Sequence, residues 1–313
     1  MNRTFKTFEE FLFEKAGSSD LQKVYAVVNT KTGHQWAQFE GSDAFIVINQ
    51  KNIDSIKAED INPDYPILNY SIKLLEKLQK KGVKNKVYNS TEEIQDSMSK
   101  ERFHKKVEGN SNVPSTAYNK DEALKIGFPL IAKPKEGHSG QGIKIFKSEK
   151  EFNEEDLSKY DVFSEFVDKK SEHRIINFNG VPFVWMERTS LNAKAKSGDG
   201  SSEEKMEFKY IKRKISGIPE NLKKVNSSFC KIFDSIKLIC FDIMEDQQGK
   251  AYVIESNTMT GMPFDIALEL YKEIFKDHFG KEISPESSKE IENLSDKLIQ
   301  RTFDREDNKW EIK

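Results

Sequence analysis

The sequence predicts a mixed α/β (α+β) chain of more than one domain. Three observations predict it. Two short apolar runs, 24–28 and 45–48, precede a helical stripe within the first hundred residues. Two further apolar runs, 130–133 and 143–146, flank a loop with glycines at 137, 140 and 142. Two apolar strands, 238–244 and 251–255, form a hairpin that carries acids among its buried positions. At 313 residues the chain is long enough for two or three small domains.

The elements follow in order. Phe5, Phe8, Phe11, Leu12 and Phe13 lie mostly three or four apart, so residues 4–15 read as a short amphipathic helix. Ile67, Leu68, Ile72, Leu75 and Leu78 read as one helical stripe ending at Gly82. Ser90-Thr-Glu-Glu93 is a capping box opening a helix through Met98. Val113-Pro114 reads as the end of the next helix. Asn119 caps another that stops at Gly127.

Ser148-Glu-Lys-Glu151 is a second capping box, and 162–167 a strand. Strands 174–178 and 181–186 meet at Asn179-Gly180, a type I′ hairpin signal. Residues 189–206 are polar and lysine-rich and read as a long flexible loop. Leu222, Val225, Phe229, Ile232, Phe233 and Ile236 make a helical stripe, and helices near 264–278 and 286–301 close the chain.

Composition narrows the function classes. Lys+Arg is 50 and Asp+Glu is 52, a net charge of −2, so no global field draws the chain to nucleic acid or anionic lipid. The lysine-rich segments 80–106 and 205–214 carry interspersed acids and read as solvated faces. No window reaches the roughly 18 apolar residues of a membrane span, and no signal peptide opens the chain. Cys230 and Cys240 sit in apolar segments, which suits buried thiols in a reducing cytoplasm. Five scattered histidines show no zinc-ligand spacing.

Two constellations carry chemistry. The glycines let backbone N–H groups approach an anion, and Lys133, closing the first apolar run, adds a point charge. If Gln247-Gln248 is a two-residue turn, Asp242 opposes Val253, and Glu255 becomes its diagonal neighbour on the same face. Asn257 is two residues further on that face. Three oxygen donors then converge as a hard divalent cation requires. Glu165 ends an apolar strand whose backbone can offer hydrogen bonds to a flat ring. Glu172 and Arg174 share one face of the next strand, and Arg188 ends the strand after it. Each arginine reads equally well as an ordinary salt bridge, and Lys100 alone is one lysine among many.

The order of these parts resembles the ATP-grasp superfamily. A lysine opening a helix, Lys-x-x-x-Gly-x-x-Gly-x-Gly, Glu-x-Val at a strand end, acid-x-Arg and Asp…Glu-x-Asn recur here as Lys100, Lys133 to Gly142, Glu165 with Val167, Glu172 with Arg174, and Asp242 with Glu255 and Asn257. Within the superfamily the chain is most similar to the glutathione-synthetase-like branch, with the glutamate ligases that modify ribosomal protein. The likeness covers roughly residues 65–278.

The resemblance implies two α+β subdomains gripping ATP behind a small α/β domain. The expected division is 1–20, an N-terminal amphipathic helix; 21–98, the small α/β domain; 99–168, the subdomain with the glycine-rich loop; and 169–313, the subdomain with the metal site. Lys100 and Lys133 would contact ATP, and Gly137, His138, Ser139, Gly140 and Gly142 would cover its phosphates and exclude water. Glu165 and Val167 would hold adenine, and Glu172 the ribose. Arg174 and Arg188 would stabilise the transferred phosphoryl group. Asp242, Glu255 and Asn257 would hold two Mg²⁺, with Mn²⁺ as an alternative.

The implied activity is ATP-dependent joining of a carboxylate to an amine through an acyl phosphate, in the cytoplasm. The acid is a small molecule or a peptide, and a protein acceptor stays open. Nucleic acid and membrane are not expected partners. Two other readings stay open: a nucleotide-binding protein without ligase activity, and a phosphoryl transferase on the same fold. Ser99, Ser256 and the run 258–261 differ from the family's usual residues and leave the substrates unnamed.

Overall fold

The computed structural model describes residues 22–28, 44–134, 142–190, 208–258, 264–283, 301–304 and 309–312. The expected helix at 4–15, most of the loop 189–206, and 286–300 lie outside the described residues. The chain forms two compact units. One takes the described residues of Met1–Gln95, Ile236–Leu238 and Thr258–Lys313; the other takes Asp96–Ser235 and Ile239–Asn257.

The first unit is built on four parallel strands in the order β2-β1-β3-β4: β1 (Val24–Val28), β2 (Phe45–Ile48), β3 (Ile67–Tyr70) and β4 (Val87–Tyr88). Ile67 and Leu68 therefore belong to a strand, not to the helical stripe. All four residues of β3 are buried, and a short apolar run buried on both faces has no periodicity to separate strand from helix. Helix α1 (Ile72–Lys80) follows and buries Leu74, Leu75 and Leu78 on the sheet. Gly82 then turns the chain at φ +97.

Helix α2 (Thr91–Met98) opens on the expected reciprocal cap between Ser90 and Glu93. The late helix α7 (Phe264–Phe279) also joins this unit. Tyr271 donates to the Gln22 carbonyl and packs edge-on to Phe45, while Asp277 accepts from Lys86, Tyr88 and Lys237.

The second unit holds two antiparallel sheets. Helix α3 (Lys100–Lys106) starts on the Ser99 cap and ends at Val107, well before Val113. Gly109, at φ +75, turns the chain away. The smaller sheet, in the order β5-β8-β6-β7, contains β5 (Thr116–Ala117), β6 (Leu130–Pro134), β7 (Lys144–Phe146) and β8 (Tyr160–Glu165). Helices α4 (Lys120–Ile126), capped by Asn119, and α5 (Glu149–Glu154), capped by Ser148, cover it. Phe146, Phe152 and Phe163 close its core edge to face.

The larger sheet runs β11-β10-β9-β12-β13: β9 (Lys169–Phe178), β10 (Val181–Ser190), β11 (Phe208–Arg213), β12 (Leu238–Asp246) and β13 (Ala251–Asn257). Asn179 at φ +50 and Gly180 at φ +75 make the type I′ turn between β9 and β10. Helix α6 (Glu220–Ile232) buries Leu222, Val225 and Phe229, and Phe103 of α3 stacks on Phe233. A two-stranded pair, β14 (Arg301–Asp304) and β15 (Lys309–Ile312), ends the described chain. No described helix is long and apolar enough to cross a membrane. Cys230 and Cys240 are free and buried.

Candidate active site

All the expected site residues that are described lie in the second unit. Gly137, His138, Ser139 and Gly140 lie outside the described residues.

Asp242 and Glu255 come together by a different route from the one expected. The turn is not the pair Gln247-Gln248. Asp246 N–H donates to the Lys250 carbonyl, and Gly249, at φ +84, completes a three-residue loop. Taken alone, the longer turn would move the register by one and turn Glu255 to the opposite face. A β-bulge between Asp242 and Ile243 leaves Ile254 unpaired and restores the parity, so Asp242 faces Glu255 directly rather than diagonally. Asn257 faces Cys240, and both lie on the Asp242 side.

The electrostatics follow from this pairing. Surrounding protein, then the charge and hydrogen bond of Asp242, push the Glu255 carboxyl up; Lys133 and Arg174 pull it back in part. Glu255 was expected among buried acids, yet it remains open to solvent. Two carboxylates facing each other across a ladder would suit a divalent cation, whose charge would relieve both. Among the described residues no three His, Cys, Asp or Glu side chains gather. Asp242, Glu255 and Asn257 would offer two carboxylates and one amide oxygen, a hard-oxygen set that would suit Mg²⁺.

Arg174 is engaged by a carboxylate. Its Nε and Nη2 donate to the two oxygens of Asp242. Glu172 is 7% exposed and accepts from both Lys169 and Arg188. Burial pushes its carboxyl up, but the two cations outweigh that and hold it low. The expected ribose acid thus bridges a lysine to the second arginine.

Lys133 pairs with Val162 in β6. Leu130 and Ala132 fill the core, so the alternation turns Lys133 to the opposite face, where it feels Glu255. Burial lowers its ammonium pKa, Glu255 counters in part, and Lys100 lowers it further. Lys100 is the first residue of α3, and His104, one turn on, completes the group. Burial, then Lys133, then Lys100 hold the His104 imidazole down at about 4. His104 was read only as a scattered histidine. Its spacing of four from Lys100 was the available signal.

Glu165 lies at the end of an internal strand. Its N–H donates to the Ser115 carbonyl and its carboxylate accepts from Ser115 N–H. Val167 lies in the link between β8 and β9. Gly142, at φ +71, passes close over Pro134: a Cβ there would stand 3.2 Å from its ring.

Two further side chains do not serve as nucleophiles. The Cys240 thiol is pushed well up by burial and by Asp242, so it stays protonated. On the opposite face, His173 lies 2.8 Å from Ser171 Oγ, but Trp185 donates to its Nδ1. Indole N–H can only donate, so Nε2 carries the proton and cannot activate the serine.

No protein-family profile matches the chain, nor does any curated protein. Solved structures do. D-alanine–D-alanine ligase from Bacillus anthracis complexed with ATP aligns over 90% of this chain and 98% of its own, at 19% identity and TM-score 0.54. N5-carboxyaminoimidazole synthetase from Staphylococcus aureus complexed with ADP aligns over 84% and 78%, at 15% identity and TM-score 0.59. The ATP-grasp ligase PsnB, complexed with a minimal precursor, aligns over 88% and 98%, at 14% identity and TM-score 0.52. These are likenesses of fold.

Proposed function

From the ATP-grasp fold of this chain we infer that it is an ATP- and Mg²⁺-dependent carboxylate–amine ligase working through an acyl phosphate. The carrying observation is the Asp242–Glu255 pair, with Arg174 bonded to Asp242 and Lys133 within electrostatic reach of Glu255. An acid pair attended by two cations suits a site that must take a metal-bound polyphosphate. The similar structures include a ligase holding ATP and a synthetase holding ADP, which supports the reading.

Each residue then has a task. Lys133 and Lys100 meet phosphate oxygens. Glu165, paired with Leu130, lies three residues along the ladder from Lys133, a span of about 10 Å. That separation suits a base at the Glu165–Val167 end and phosphates at the Lys133 end. Asp242, Glu255 and Asn257 would hold Mg²⁺, which would supply neutralisation of phosphate charge. Arg188 and Arg174 take up charge as it develops on the transferred group. Losing either costs on the order of 10²–10³ in rate, as for other preorganised donors.

The test is ADP and phosphate release from ATP with a panel of carboxylic acids and amines, with products weighed by mass spectrometry. An amide plus ADP supports the ligase. A stable phosphoester would instead mark a phosphoryl transferase. ATP binding without turnover across the panel favours a nucleotide-binding role.

A further inference from the structure

The two arginines share an aromatic ring that no motif marked. Tyr210 in β11 faces Arg188 in β10, and Arg188 faces Glu172 in β9, so the three stand in a row on one face. Arg174 stands two residues beyond Glu172 on that face. The Arg174 guanidinium carbon lies 4.8 Å from the Tyr210 ring centroid, and that of Arg188 lies 5.9 Å away. Both fall within the roughly 6 Å of a cation–π contact.

Neighbouring guanidinium groups repel each other, and here each has a carboxylate: Asp242 for Arg174 and Glu172 for Arg188. Asp242 is also the candidate cation ligand, so its grip on Arg174 is not a fixed resource. The Tyr210 ring holds Arg174 independently of Asp242. Burial foremost pushes the Tyr210 hydroxyl up to about 12, so a neutral ring faces both cations at working pH.

We propose that Tyr210 is a positioning residue, a shared π platform that fixes the guanidinium groups of Arg174 and Arg188 side by side toward one anionic group. What the arginines act on rests on the ligase reading; their geometry does not.

The test begins on the full chain without nucleotide or metal. Arginine Nε–H resonances are recorded by NMR and assigned with Arg174→Lys and Arg188→Lys. Ring currents should displace the Arg174 signal in the wild type and in Tyr210→Phe, and the displacement should vanish in Tyr210→Leu. An unchanged Arg174 signal in Tyr210→Leu overturns the proposal whatever the enzyme does. A wild type that shows the displacement but never turns over ATP counts against the ligase reading and leaves the platform standing.

If Tyr210→Leu folds poorly, fluorinated phenylalanines at 210 keep the shape while draining the negative face of the ring. Stepwise fluorination should lower kcat in steps, by about tenfold in all, with KM for ATP moving less than about threefold, since each cation–π contact carries about 0.5–2 kcal/mol. A flat kcat across that series overturns the proposal.

Discussion

Arg174 grips both carboxylate oxygens of Asp242, with Nε and Nη2 each 2.7 Å from its partner oxygen. The planar fork matches the carboxylate, and the pair ties β9 to β12 at the centre of the larger sheet. Both side chains are largely buried, at 18% and 13% exposure. Removing one partner strands the other charge, which costs about 3–5 kcal/mol. Asp242→Asn should therefore lower the unfolding free energy by about 3 kcal/mol in a urea titration. Asp242→Leu combined with Arg174→Met should recover most of the loss, because neither charge is then left alone.

His104 gives the fold a defined acid limb. Its imidazole is held at about 4, by burial first and then by Lys133 and Lys100, whereas an unfolded histidine titrates near 6.5. The folded state thus binds fewer protons between those values. Its stability is full above pH 6.5 and is lost as pH falls toward 4, by at most about 3 kcal/mol, less what solvent screening removes. His104→Gln should flatten that limb of the stability curve, read by denaturant midpoints at pH 4.5 and 7. An unchanged slope would show that burial and the two lysines do not hold the ring down as described.

Gly142 and Gly82 both sit in the left-handed region, at φ +71 and φ +97, but only Gly142 is crowded. Gly82→Ala meets nothing within 4 Å and should cost about 1–2 kcal/mol, the backbone penalty alone. Gly142→Ala must also displace Pro134, whose Cγ would stand 3.2 Å from the new methyl. Gly142→Ala should therefore lose more stability than Gly82→Ala in parallel thermal melts.

Local signals were legible where chemistry and position coincide. Ser90, Asn119 and Ser148 cap helices as their sequences require, and Asn179-Gly180 takes the two positive φ angles of its turn. That Asp242, Glu255 and Asn257 share one face was legible too, although the path to it was not. A three-residue turn and a bulge each shift parity by one and cancel. Neither leaves a mark that a single sequence separates from a two-residue turn.

Tyr210 was missed because 205–214 is rich in lysine and reads as a solvated face. In β11 the alternation puts Tyr210 opposite Arg188 whatever its neighbours are. Ile67 and Leu68 were misplaced because a strand buried on both faces has no period of its own. The engagement of Glu172 by Arg188 depends on the register in which β9 pairs with β10, while Lys169 reaches it from within β9.

The central claim is that Asp242 and Glu255 hold a divalent cation for a bound triphosphate. Calorimetric titration of ATP, with and without Mg²⁺, into the wild type and Glu255→Gln tests it most directly. Mg²⁺ should tighten ATP binding to the wild type, and the substitution should remove at least the roughly tenfold that even outer partners of a metal are worth. An equal Mg²⁺ gain in both proteins, or a wild type that binds no ATP, would contradict it.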